Sequence, residues 1–210
     1  MQVVVLADAG LKEELLAQEV NEPLELKWLT SIEELKGSVN AEACIDLLFE
    51  PDPKRIELLK EMLPRPVLVN SVTTVLKELP EGFVRFNGWP TFLKRTIIES
   101  ACNDDSIKKR TEEIFSLLNK KAEWVADEPG FIAARIVAMI INEAYFALGE
   151  NVSSKNEIDM AMKLGTNYPY GPFEWAEKIG IKKITDLLNE LSSSNKRFEA
   201  AAWLQNETRI

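Results

Sequence analysis

The chain has 210 residues, 46% of them apolar and 28% charged, with a formal charge of −9 and a pI of about 4.8. That length and apolar content suffice for a buried core and exclude a chain disordered by composition. The acidic balance, with no basic stripe in the sequence, argues against nucleic acid or an anionic membrane surface as partner, because both attractions begin with neutralising phosphates.

In chain order, Gln2–Ala7 is a valine-rich apolar run that reads as a buried strand entering a turn at Asp8-Ala9-Gly10. Leu11–Val20 carries Leu11, Leu15, Leu16 and Val20 at helical spacing. Leu24–Leu29 and Ala43–Phe49 read as strands, Pro53–Met62 as a helix, and Pro66–Asn70 as another buried strand. This alternation predicts a parallel α/β sheet. Phe83–Phe86 and Thr96–Ala101 are further strand candidates. Asp105–Lys120 has an acidic start and a basic end, as a helix dipole favours. Glu123–Ala126 is a last short strand.

After Asp127 the periodicity changes. Pro129–Gly149 reads as a long helix, with proline early, glycine at its end, and apolar residues on nearly every face from Ile132 to Leu148. Ser154-Lys155-Asn156-Glu157 is a capping box opening a helix that Gly165 closes. Pro172–Ile179, Ile181–Leu191 and Arg197–Gln205 supply further helices. The expected layout is an α/β domain over residues 1–126 and an all-helical domain over residues 127–210.

The sequence contains no histidine. Mechanisms that need an imidazole, including Ser-His-Asp and Cys-His arrangements, are thereby excluded. Cys44 and Cys102 stand alone in apolar runs, so they read as buried thiols, and no metal site is expected. Asp104-Asp105 and Glu112-Glu113 read as solvated surface pairs. The N-terminus lacks the basic flank of a signal peptide, and the apolar run around Ile136–Ile141 is too short to span a bilayer, so the expected location is cytoplasmic.

Two segments carry a resemblance. Asp127–Arg135 (DEPGFIAAR) resembles the D-x-P-G-F-x-x-N-R entry to the helical domain of the 3-hydroxyacyl-CoA dehydrogenase family. Ile158–Gly165 (IDMAMKLG) and Tyr168–Glu174 (YPYGPFE) are similar to that family's I-D-x-A-M-K-x-G and P-x-G-P-F-E signatures, and Asn142-Glu143-Ala144 between them also matches. The resemblance runs from about Pro66 to Gly180. It implies a truncated Rossmann-like parallel-sheet domain followed by the family's helical C-terminal domain. It also implies NAD as cofactor, an acyl-CoA ligand, a place in fatty-acid or related acyl-CoA metabolism, and a homodimer formed through the helical half.

The family pattern is broken at the site. Its first strand leads into G-x-G-x-x-G, whose glycines admit the pyrophosphate. Here the strand leads to Ala7-Asp8-Ala9-Gly10-Leu11-Lys12, and Asp8, Glu13 and Glu14 bring carboxylates to the expected helix start. No acid near Lys27–Thr30 matches the one that holds the ribose hydroxyls. The resemblance puts the family's catalytic histidine at Asn87 and its orienting glutamate, twelve residues on, at Glu99. Val69–Thr73 resembles S-N-T-S-S with Val72 at the catalytic serine, Thr73 one place on, and Asn70 and Ser71 as candidate cofactor contacts. Ala134 stands at the family's asparagine. The candidate catalytic residues are therefore Glu99, Asn87 and Thr73, with Trp89 and Phe92 as lining. Lys94 and Arg95 are either a CoA-phosphate contact or a solvated turn.

Three readings follow from these residues: a catalytically degenerate family member that binds an acyl-CoA or a protein partner, an NAD-dependent oxidoreductase with a rewired site, and a structural or assembly subunit.

Overall fold

Valine- and isoleucine-rich runs bounded by turns form the strands of a seven-stranded sheet in a computed structural model that describes residues 1–38 and 40–208. The strands are β1 (Gln2–Leu6), β2 (Glu25–Leu29), β3 (Ala43–Asp46), β4 (Val67–Asn70), β5 (Phe83–Phe86), β6 (Ile97–Ala101) and β7 (Lys121–Trp124), in the order β2-β1-β3-β4-β5-β6-β7. All neighbours pair in parallel except β5 and β6. The expected sheet is therefore parallel with one antiparallel junction. Residues 87–96 link β5 to β6 without a helix, and so short a link does not make the crossover that parallel strands require.

Side-chain alternation divides the core between the two faces of the sheet. Val3, Val5, Ile45, Leu68 and Val84 pack with Leu11 and Leu15 of α1 (Ala9–Leu15) and with Ile107, Ile114 and Phe115 of α3 (Asp105–Leu117). Val4, Leu6, Cys44, Val67, Val69 and Phe83 pack with Leu58 and Leu59 of α2 (Pro53–Lys60) and with Ile32 and Leu35 of a 3₁₀ turn, Ile32–Gly37, that periodicity did not reveal. Each α-helix of this unit starts on an aspartate whose carboxylate accepts main-chain N–H bonds: Asp8, Asp52 and Asp104. Cys44 and Cys102 are buried free thiols, and burial pushes both up.

Helix α1 ends at Leu15 rather than at Val20. The Asn21 N–H donates to the Leu117 carbonyl at 2.7 Å and its amide to Asn119 at 3.1 Å, so tertiary bonds draw the following residues out of the helix. Strand β7 lies two residues earlier than expected, because the Lys121 N–H pairs with Thr96 O at 2.7 Å.

The chain divides into two compact units, Met1–Phe131 and Ile132 to the C-terminus. Gly130 and Phe131 have φ of 83° and 48°, and the Gly130 N–H donates to Val72 O at 2.8 Å. The second unit begins with α4 (Ala133–Gly149), followed by α5 (Lys155–Thr166), α6 (Pro172–Ile179), α7 (Ile181–Ser194) and α8 (Ala202–Glu207). The left-handed residues Gly130 and Phe131 explain why α4 starts after the proline-glycine pair and not at it.

Helix α4 is not buried all round. Val137, Ala138, Ile141 and Tyr145 face the helices of their own unit, while Ile132, Ile136 and Phe146 are exposed. The expected helix over Arg197–Gln205 is split into a 3₁₀ turn, Lys196–Phe198, and α8. The amide of Asn142 in α4 donates to Glu199 O at 2.9 Å and accepts from Ala201 N–H at 2.8 Å, which holds the intervening chain open.

The motif residues of this unit are helix joints. The Asp159 carboxylate caps α6 through the N–H groups of Phe173 (2.8 Å) and Glu174 (3.2 Å). Glu174 accepts from Gly171 N–H at 3.0 Å and pairs with Lys163. Gly171 lies so close to the Asp159 side chain that no Cβ fits between them. Among the described residues, no helix is long and apolar enough to cross a membrane.

Candidate functional site

The antiparallel junction sets the register of the site. Arg85 lies opposite Ala101 and Phe86 opposite Ser100, and the next step brings Asn87 opposite Glu99. The Asn87 N–H donates to Glu99 O at 2.9 Å, and the Asn87 amide Nδ2 donates to the Glu99 carboxylate at 3.0 Å. Asn87 is buried and Glu99 half-buried. An amide held this way donates a hydrogen bond, but it has no basic nitrogen to take a proton. Arg95 stacks on Phe92 at 4.3 Å from the ring centroid; burial lowers its pKa, and the negative charge of Glu99 opposes the shift. Trp89 and Phe92 are both buried, as core aromatics are, and Lys94 is exposed.

The segment after Asn87 is fixed at three points. Asn70, at the end of β4, donates through Nδ2 to Leu47 O (3.1 Å) and Gly88 O (3.0 Å) and accepts from Gly88 N–H (2.9 Å). One amide thus joins the carboxyl ends of β3, β4 and β5. Gly88 is required there, since a Cβ would meet the Phe86 ring at 2.7 Å and Asn70 at 3.0 Å. The Glu14 carboxylate accepts from the Thr91 N–H with both oxygens, at 2.7 and 2.8 Å, and Thr91 sits at φ 76°. The buried Lys120 ammonium donates to Leu93 O (2.7 Å) and Arg95 O (3.0 Å).

Sequence reasoning missed Arg85, although an arginine inside the apolar strand FVRF was the signal for it. Arg85 is fully buried. Its guanidinium donates to Ser71 O (2.9 Å), Val72 O (2.8 Å), Glu128 O (3.3 Å) and the Asp127 carboxylate (2.7 Å), and it stacks on Phe131 at 4.1 Å. Asp127 also accepts from Leu76 N–H at 2.9 Å. This network holds the turn that carries the other candidates. Ser71 Oγ donates to Thr74 O at 2.8 Å, Val72 is buried, and Thr73 is half-buried. Asn87 and Glu99 are brought together, whereas the polar groups of Asn70 and Ser71 are bonded to main chain. Ala134 is buried in the second unit.

The groups at the carboxyl ends of β1 and β3 do not fit a dinucleotide. Strand order reverses between these two strands, which is where open α/β sheets place ligands. The Asp8 carboxylate takes the Leu11 N–H at 2.8 Å, at the position where a pyrophosphate would lie. Asp46 is fully buried and is held by Arg55 at 2.6 and 2.7 Å; burial pushes this carboxyl up, and the guanidinium opposes it. Among the described residues, no cluster of acidic or sulfur side chains could hold a metal ion.

Comparison with known proteins places these features. A family model described as "3-hydroxyacyl-CoA dehydrogenase, C-terminal domain" matches residues 130–207. A 3-hydroxyadipyl-CoA dehydrogenase of Escherichia coli K12 is 44% identical over 96 residues, which is 46% of this chain and 20% of that protein. The chain therefore spans about a fifth of that relative's length. A 3-hydroxybutyryl-CoA dehydrogenase of Bradyrhizobium diazoefficiens is 26% identical over 87% of this chain and 71% of its own. In fold, the chain is similar to the crystal structure of (S)-3-hydroxybutyryl-CoA dehydrogenase from Ralstonia eutropha, with a TM-score of 0.74 and 21% identity over 99% of this chain and 93% of that one. The mostly parallel, Rossmann-like sheet and the helical unit after it are thus an architecture shared with that structure, and residues 130–207 match the C-terminal domain of the 3-hydroxyacyl-CoA dehydrogenase family.

Proposed function

We propose that this chain has kept the family's fold and lost its dehydrogenation chemistry, and that it acts in the cytoplasm by binding an acyl-CoA thioester or a protein partner. The observation that carries this reading is the Asn87–Glu99 pair at 3.0 Å. The resemblance puts a proton-transferring histidine at Asn87, and the amide that stands there cannot exchange the hydroxyl proton. Removing a general base alone costs about 10²–10⁴ in rate. Val72 and Ala134 take the places of two further polar groups, and both are buried. What remains is a donor amide, a carboxylate and a stacked guanidinium, a set that binds a polar acyl group and does not reduce it.

The fatty-acid or related acyl-CoA setting belongs to the same proposal and rests on the family. A homodimer formed through the helical unit also belongs to it. Ile136 and Phe146 on α4 and Met160 and Leu164 on α5 are exposed large apolar side chains of this unit, and they support such an interface.

Calorimetric titration with acetoacetyl-CoA, with and without NADH, tests the reading. Binding that is indifferent to NADH, with no turnover, is the expected outcome. Turnover that Glu99→Gln abolishes would instead establish an oxidoreductase with a rewired site using Thr73, Asn87 and Glu99. Absence of heat in both titrations would leave the partner-binding or assembly role.

A further inference from the structure

We infer that the first unit has replaced the family's dinucleotide with its own side chains, so that Asp8 fills the anion position at the start of α1 and the unit neither needs nor admits NAD(H). Four features converge on this, each independent of whether an acyl-CoA binds.

The turn after β1 is not a cradle. A phosphate-binding turn needs glycine where the main chain must approach the ligand closely. Gly10 is the one glycine in this turn, and a Cβ added to it would meet only Asp8 Oδ1, at an ordinary 3.6 Å. No close approach there demands a glycine. The N–H group that would face a phosphate is already taken, since Leu11 donates to Asp8 at 2.8 Å. An incoming pyrophosphate would have to displace a fixed carboxylate and then lie beside its charge.

The crevice beside this turn is also occupied. At the end of β3, Asp46 is fully buried, is doubly bonded to Arg55, and accepts from Leu48 N–H at 3.0 Å. Its partners satisfy it, and Arg55 is committed as a counter-ion rather than offered to a phosphate.

The ribose position is lost as well. Just beyond β2 stands Glu34, whose Oε1 accepts from Thr30 N–H (3.2 Å), Thr30 Oγ1 (2.7 Å) and Ser31 N–H (3.0 Å). It caps its own 3₁₀ turn. Beyond β2, finally, the sheet has no further strand among the described residues, so the three-strand half that supports the adenosine in a dinucleotide fold stops at two.

The test is an NADH titration of the full chain, read by nucleotide fluorescence and by the thermal midpoint. At about 1 mM NADH, a site with a Kd of about 10 µM would raise the midpoint by several degrees. We expect no saturable fluorescence change and no shift. Saturable binding with a Kd below about 100 µM would overturn the inference. The variant Asp8→Ala tests the occupant itself: it should lower the midpoint by a few degrees through loss of the helix cap. A variant as stable as the parent would mean that the carboxylate substitutes for nothing, and the inference would fail. Neither readout uses acetoacetyl-CoA, so its failure and that of the binding reading are separable.

Discussion

Arg85 and Asp127 pair at 2.7 Å, with the guanidinium fully buried at β5 and the carboxylate at the end of the first unit's chain. The pair ties strand to turn to C-terminal segment, because the same guanidinium holds the carbonyls of Ser71, Val72 and Glu128. Removing one partner of such a pair leaves a buried charge without compensation, which costs about 3–5 kcal/mol where burial is complete. Asp127 is 27% exposed, so water compensates in part, and Asp127→Ala should cost about 2–3 kcal/mol. Urea denaturation checks this, and a loss under about 1 kcal/mol would mean that the main-chain carbonyls alone hold Arg85.

Lys120 gives the stability of the fold a pH dependence of predictable sign. Burial lowers its pKa to about 8, with the charge of Glu14 opposing the shift. The unfolded chain holds this proton up to about 10.4, so between those values the unfolded state binds more protons than the folded one. Stability from this group therefore rises as pH climbs from about 8 towards 10.4, by about 1–3 kcal/mol, and is lost as pH falls through 8. Urea midpoints of the parent and of Lys120→Met between pH 7.5 and 9.5 isolate the effect, since other titrating groups are common to both. A difference that stays flat with pH would contradict the assignment.

Asp159 belongs to the family signature, and its carboxylate caps α6. Asp159→Ala should destabilise the helical unit by about 1–2 kcal/mol. Heat capacity scans measure the loss, and acetoacetyl-CoA titration checks that the ligand response is unchanged. A variant of parental stability with altered ligand binding would move Asp159 from a structural role to a binding one.

Leu164 is 81% exposed on α5, so Leu164→Glu costs the folded monomer almost nothing. If the helical unit forms the homodimer, the change places a charge in its interface. Sedimentation velocity should then find a dimer for the parent and a monomer for the variant. A dimer in both would place the interface elsewhere.

Much of the fold was legible in order along the chain. Valine runs, the proline-led starts of α2 and α6 and the Ser154 capping box are local devices, and each acts through neighbours a few residues away. The alignment that set Asn87 against Glu99 also corresponds to a hydrogen-bonded pair in the structure. Less legible were features that depend on distant partners. Asn21 meeting Leu117 shortens α1, and Asn142 reaching Glu199 and Ala201 divides the last helix. Arg85 read as an ordinary strand residue until the turn at Ser71 and the carboxylate of Asp127 were brought around it.

The sequence by itself determined the resemblance to the 3-hydroxyacyl-CoA dehydrogenases, the two kinds of secondary structure and the absence of an imidazole, because these follow from residue identity and short-range spacing. Tertiary structure decided the antiparallel turn of β6 against β5, the capture of Asp8 and Asp46 by their own chain, and the three clamps on residues 88–95. Each of these is a bond between groups far apart in sequence, whose geometry exists only once the sheet has set their distance and burial has removed competing water.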